Sequence, residues 1–196
     1  MNSRPRQLLT VLLALLAIIA LAGCSDNSHT KVTTGTYAGE SGKNAPYLNV
    51  GPLEYQVQLS RQLNPTNSED AGYLQGLTPA QQRLLPGEEW FAVFMQVYNT
   101  GESPQPASTN ITISDTQGNV YLPVIPDENN RYAYRAGVVP AGGVLPPPGT
   151  TTIQGPTQGA LILYKIKVVS LNNRPLEIKI RNSEDLAEYA SAELDV

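Results

Sequence analysis

The stretch Trp90-Phe91-Ala92-Val93-Phe94-Met95-Gln96-Val97-Tyr98 constrains this chain more than any other. It is aromatic and β-branched, the side-chain types that fit a pleated, half-buried surface. Successive side chains of a strand face opposite ways, and here both sets are apolar. A strand so built must be covered on two sides, which places it at the centre of a sheet. Asn99-Thr100-Gly101 then supplies turn residues to end it.

Shorter strands are expected around it. Leu53, Tyr55, Val57 and Leu59 alternate with polar residues, as do Ile111 and Ile113. Asp115-Thr116-Gln117-Gly118 reads as a hairpin turn, with Gly118 where positive φ is needed and Asn119 to Leu122 as the return strand. Gly159 to Val169 forms a second strong strand, Leu176, Ile178 and Ile180 a further one, and Ala190, Ala192, Leu194 and Val196 a final one. Asn64 to Pro86 is a longer connection with room for two helical turns, Ala71–Leu77 and Pro79–Leu85, the second opened by Thr78-Pro79. Glu184 to Glu188 reads as one more helical turn. Pro140 to Pro156 reads as an extended crossing loop without helix. About seven to eight short strands with no long helix predict an all-β, antiparallel β-sandwich, with a partly open barrel as the alternative.

The first residues have a different character. Arg4 and Arg6 precede a run from Leu8 to Leu21 that is apolar except for Thr10. The run is shorter than the roughly 20 residues of a spanning helix and within the about 7–15 of a signal segment. Leu21-Ala22-Gly23-Cys24 follows, which resembles the lipobox of bacterial lipoprotein signals, and Cys24 is the one cysteine of the sequence. The expectation is a signal peptide over 1–23, a lipid on Cys24, and a chain held to the cell membrane facing outside the cytoplasm. Residues 24–46 then read as a flexible tether spanning about 25 Å, and 47–196 as the folded domain. Loss of 1–23 removes two of the 13 basic residues and none of the 17 acidic ones, for a net charge of −6. That acidity argues against nucleic acid as a partner. An acylated Cys24 leaves no thiol for a disulfide, so stability must come from a packed core.

Val97-Tyr98-Asn99-Thr100-Gly101-Glu102, followed by Ile111-Thr112-Ile113-Ser114-Asp115-Thr116-Gln117-Gly118-Asn119-Val120-Tyr121, resembles a family of bacterial immunoglobulin-like extracellular domains that often follow a lipoprotein signal. Gln158 to Tyr164 is similar to that family's next strand, and Arg174-Pro175-Leu176-Glu177-Ile178 to its hairpin partner. The resemblance covers roughly residues 87–182. It implies an immunoglobulin-like fold and offers no catalytic residue to carry over. The segment from Asn64 to Pro86 departs from the pattern.

Residues that carry chemistry are sparse. The one histidine, His29, lies in the tether, where nothing would hold it as a general base. Without His and Cys, zinc and copper sites lose their usual ligands, and neither a metal nor a cofactor is expected. Glu69-Asp70 and Asp127-Glu128 are the paired carboxylates, and Glu69, Asp70, Asp127 and Asn129 are the oxygen ligands a Ca²⁺ ion would use. Gly142-Gly143 lacks the following helix of a phosphate loop. Arg131-Tyr132-Ala133-Tyr134-Arg135 is the candidate binding surface: at a period of two, Tyr132 and Tyr134 would share one face, flanked by Arg131 and Arg135. Tyr and Arg are preferred anchors of binding surfaces.

The functional reading is a non-enzymatic lipoprotein module that binds an envelope protein or glycan or serves a structural part, with no catalytic residues. The second reading is an envelope hydrolase or accessory subunit using loop carboxylates. A third is carriage of a ligand or metal inside the sandwich, for which open apolar volume between the sheets would be diagnostic.

Overall fold

The computed structural model describes residues 32–38, 47–154 and 157–194, the first of these as backbone alone. Thirteen strands are present among them. Five form one sheet, in the order β1 (Val32–Ala38), β13 (Tyr189–Leu194), β12 (Leu176–Arg181), β6 (Ile111–Ser114) and β7 (Val120–Tyr121). A six-stranded sheet runs β2 (Leu48–Val50), β3 (Leu53–Leu63), β4 (Glu88–Asn99), β11 (Ala160–Lys167) and β8 (Pro123–Val124), with β10 (Val144–Leu145) also paired to β4. A small ribbon joins β5 (Gln105–Pro106) to β9 (Val138–Val139). The two larger sheets pack face to face as a β-sandwich. The strand number exceeds the seven to eight expected because several are two-residue pieces.

The core between the sheets takes one parity from each strand. Phe91, Val93, Met95 and Val97 of β4 meet Ile162, Tyr164 and Ile166 of β11 on one side and Ile178, Ile180, Ala190 and Ala192 of the other sheet. The opposite parity of β4, with Trp90, Ala92 and Phe94, enters a second cluster on the outer face of the six-stranded sheet, together with Leu161 and Leu163. β4 is thus covered on both faces, as its composition demands. Gly159 lets the loop before β11 lie against β4: its φ is +99°, and a Cβ there would stand 2.7 Å from the Met95 nitrogen.

The second cluster is roofed by the 64–86 connection. Helix α1 (Ser68–Tyr73) is capped by Asn67, whose side chain accepts from the N–H groups of Glu69 and Asp70. The cap starts the helix earlier than the expected Ala71. Helix α2 (Pro79–Gln82) carries a capping box between Thr78 and Gln81. Tyr73 and Leu77 from this segment are buried in the cluster.

Several expectations are corrected. The register of β3 shifts between Val57 and Leu59. This bulge sends Leu53, Tyr55 and Val57 into the inter-sheet core but Leu59 and Leu63 to the outer cluster, so the four alternating residues do not share a face. Val32–Ala38, inside the expected tether, is a strand that pairs parallel with β13, whereas the other pairings between the described strands are antiparallel. Thr151–Gln154 forms a short helix, α3, within the Pro/Gly-rich loop. Val168–Asn172 is a 3₁₀ turn that stops β11. Residues 184–188 form bends and a turn, with the Asp185 carboxylate accepting from the Ala187 N–H, and no helix.

Candidate functional site

Leu21, Ala22, Gly23, Cys24 and His29 lie outside the described residues. Among the described residues, no helix is long and apolar enough to cross a membrane.

The expected Arg/Tyr surface is divided. Ala133 forms a single parallel bridge to Leu161, fixed by the Leu161 N–H donating to Tyr132 O and the Tyr134 N–H donating to Leu161 O, both at 2.7 Å. The segment is otherwise a turn, so the period of two does not carry through it. Tyr132 packs on the outer cluster, its ring edge-on to Tyr73 at 5.0 Å. Tyr134 packs on the inter-sheet core, and its hydroxyl donates to Ser108 O at 2.9 Å. Burial pushes the Tyr134 hydroxyl well above its usual pKa. The two rings therefore do not form one face. Arg131 is exposed. Arg135 is half-buried, its Nη1 donating to Pro126 O at 2.8 Å and its Nη2 to Asp127 O.

The carboxylates are tied to local structure. Asp70 is buried, and its Oδ1 stands 2.5 Å from Arg61 Nη2 while its Oδ2 accepts from the Asn64 N–H. Burial raises this carboxyl, and the Arg61 and Asn64 hydrogen bonds with the Arg61 charge outweigh that to leave it below its ordinary value. Asp127 accepts from the N–H and side-chain amide of Asn129 and lies against Gly76. Among the described residues, no three His, Cys, Asp or Glu gather as a metal ion would require.

One buried network escapes inspection of the sequence. The Tyr121 hydroxyl lies 2.5 Å from Ser170 Oγ, which donates to Asp115 Oδ2 at 2.7 Å. Asp115 Oδ1 accepts from the N–H groups of Gln117 and Asn119. Burial raises the Asp115 carboxyl, and these bonds overcome it, lowering it to about 2. This locks the 115–119 turn, in which Gly118 has φ +81° as expected. The Asp115 carboxylate spends its acceptor capacity on the turn and on Ser170. The Asp-x-x-Gly pattern marks the turn, but Ser170 comes from the 3₁₀ turn beyond β11 and leaves no local signal.

The site that does take shape is a pocket of about 240 Å³ at the side of the sandwich. Three separate segments wall it: 109–111, 123–126 and 134–136, with Leu161 and Ile162 of β11 as the floor. Its surface is mostly apolar, and Arg135 is the one charged residue among the described residues of its wall. Ile111 and Ile162 belong to the inter-sheet core, so the pocket opens that core at one side. Beside it, a buried polar seam converges on residues 108–111. Tyr55 Oη accepts from the Ser108 N–H, and the Tyr164 hydroxyl donates to Ile111 O. Burial pushes the Tyr55 hydroxyl up to about 12 and Tyr164 higher still.

No family model and no curated protein matches the sequence. Among solved structures, the yjhA protein of Bacillus subtilis superposes with a TM-score of 0.50 at 12% identity, over 82% of this chain and 100% of that one. A candidate lipoprotein, ycdA, from Bacillus subtilis subsp. subtilis str. 168 gives 0.46 at 8% identity, over 79% of this chain and 39% of its own. An uncharacterised β-sandwich protein of Clostridium difficile 630 gives 0.43 at 9% identity, over 82% and 95%. The chain spans about two-fifths of the length of ycdA. At such identity the likeness is one of fold alone.

Proposed function

We propose that this chain is an extracytoplasmic lipoprotein, anchored through Cys24, whose β-sandwich binds an apolar group without performing a reaction. The observation that carries the binding half is the pocket of about 240 Å³ opening the inter-sheet core at Ile111 and Ile162, with Leu161 of the outer cluster also in its wall. Sites for small ligands are concave and mostly apolar, with few polar groups. An empty cavity of about 150 Å³ accommodates benzene, so this one has room for a ring and a short chain. Against the hydrolase reading, Asp70, one of the four paired carboxylates, is taken up by Arg61 and Asn64. The lipobox sequence supports the anchor.

Each half has its own test. Metabolic labelling with palmitate should mark the wild-type chain and leave Cys24→Ser unlabelled; equal labelling removes the anchor. Indole, an uncharged probe, should bind the full chain in lipid nanodiscs, with empty nanodiscs subtracted. Ala136→Phe, which places a ring in the pocket from its exposed rim, should abolish that binding. Binding indifferent to this substitution removes the pocket as the site.

A further inference from the structure

Resting on that pocket reading, we infer that the preferred occupant is an amphipathic carboxylate, its apolar body against Ile111, Leu161 and Ile162 and its carboxylate on Arg135. The wall is apolar over Pro123, Val124, Ile125 and Pro126, which selects a hydrocarbon body. Arg135 adds a fixed positive charge. Its guanidinium has five N–H donors, and the structure uses two of them, toward the main-chain oxygens of Pro126 and Asp127. Both acceptors are neutral carbonyls. They hold the side chain in place without cancelling its charge, so the fork is oriented before any ligand arrives.

The side chain of Asp127, whose main-chain oxygen Arg135 engages, has partners of its own. The Asp127 carboxylate accepts from Asn129 and lies against Gly76. Among the described residues, the ion pairs are those of Arg61 with Asp70 and Lys179 with Glu177, so no described carboxylate neutralises Arg135. A half-buried guanidinium with free donors beside an apolar cavity suits a carboxylate, which it can engage through paired hydrogen bonds. The cavity volume limits the body to about a phenyl ring with two or three further carbons.

Two carboxylates distinguish the possible sources of this chemistry: hexanoate, a short acyl chain, and N-acetylphenylalanine, a peptide C-terminus. Each is titrated by calorimetry into the full chain in zwitterionic nanodiscs, alongside its primary amide of the same shape. At least one carboxylate should bind about tenfold more tightly than its amide, the size expected for a charge-assisted bond. That ratio should fall to near one in Arg135→Gln, and Ala136→Phe should abolish binding of acid and amide alike. The acid-to-amide ratio in the wild-type chain needs no variant, so it stands even if Arg135→Gln loosens the 126–127 loop. Equal binding of acid and amide overturns the carboxylate preference while leaving the apolar pocket in place. Binding unaffected by Ala136→Phe overturns the pocket and this inference together.

Discussion

The two faces of β4 bury equally apolar side chains by different means. On one face, Phe91, Val93, Met95 and Val97 are closed over by a second sheet. On the other, Trp90, Ala92 and Phe94 are closed over by the connection from Leu63 to Leu84 and by Tyr132. The first lid is a hydrogen-bonded ladder with many strands behind it. The second is irregular chain, fastened at a few points by side chains. Asn130 is the chief fastener: its Nδ2 donates to Tyr73 O and Gln75 O, both at 2.8 Å, while its Oδ1 accepts from the N–H groups of Tyr132 and Ala133. All the hydrogen-bonding capacity of that amide is spent holding one loop to another. A lid of the first kind tolerates the loss of a single contact; a lid of the second kind depends on named residues.

The largest expected effect lies on the sheet-covered face. Phe91→Ala should lower the unfolding free energy by about 3–5 kcal/mol, the usual cost of emptying a buried phenylalanine site, and chemical denaturation should show one cooperative transition. Asn130→Ala should cost less, about 2–3 kcal/mol, since it strands buried backbone groups that the amide satisfied. Its signature is local: hydrogen exchange should quicken across 64–86 and 126–134 and stay slow in β12 and β13. Exchange quickening evenly through the molecule would mean that the two lids open as one, and the contrast between them would fall.

Titration sharpens the same contrast, because the groups shifted furthest serve the sheet-covered side, while Asp70 serves the irregular lid. Asp115 has its folded pKa depressed to about 2 from 3.8. Its contribution is therefore present above about pH 3.8 and lost as pH falls toward 2. Asp115→Asn should flatten the melting curve's pH dependence in that window. The tyrosines have the opposite sign. Tyr55, raised to about 12, contributes fully below pH 10 and is lost as pH rises through 12. With Tyr134 and Tyr164 shifted the same way, all three should ionise, by absorbance near 295 nm, only as the fold opens. Ionisation of all three near pH 10 in the folded protein would show that the seam at residues 108–111 is wet.

This division explains what the sequence discloses. β4 is legible because apolar residues at both parities leave no exposed face. β12 is legible through Leu176, Ile178 and Ile180, and the hairpin through Asp115 and Gly118. β1 is not: Val-Thr-Thr-Gly-Thr-Tyr-Ala shows no alternation, and its partner begins at Tyr189, far along the chain. The bulge in β3 is hidden too, since Leu59 and Leu63 continue the odd-numbered apolar spacing of Leu53, Tyr55 and Val57 while the face they serve changes at Gln58. The pocket is assembled from three short segments that carry no motif. Arg135 stands out in the sequence only as a neighbour of two tyrosines, and its place in the pocket depends on how the 126–136 loop folds back.

The smallest expected effect separates those two tyrosines. A period of two would put Tyr132 and Tyr134 on one surface with similar roles, but the bridge at Ala133 sends one ring to each side of the six-stranded sheet. The Tyr134 hydroxyl donates to Ser108 O, whereas Tyr132 acts through its ring, edge-on to Tyr73. Tyr134→Phe should therefore cost about 0.5–1.5 kcal/mol, the net worth of one hydrogen bond. Tyr132→Phe keeps the ring contact and should cost less than about 0.5 kcal/mol, as a change away from any buried bond does. Denaturation midpoints of the two variants, measured side by side, resolve the difference. If Tyr132→Phe proved the costlier, the irregular lid would owe its hold to a hydroxyl rather than to ring packing, and the account of how that face closes would have to be rebuilt.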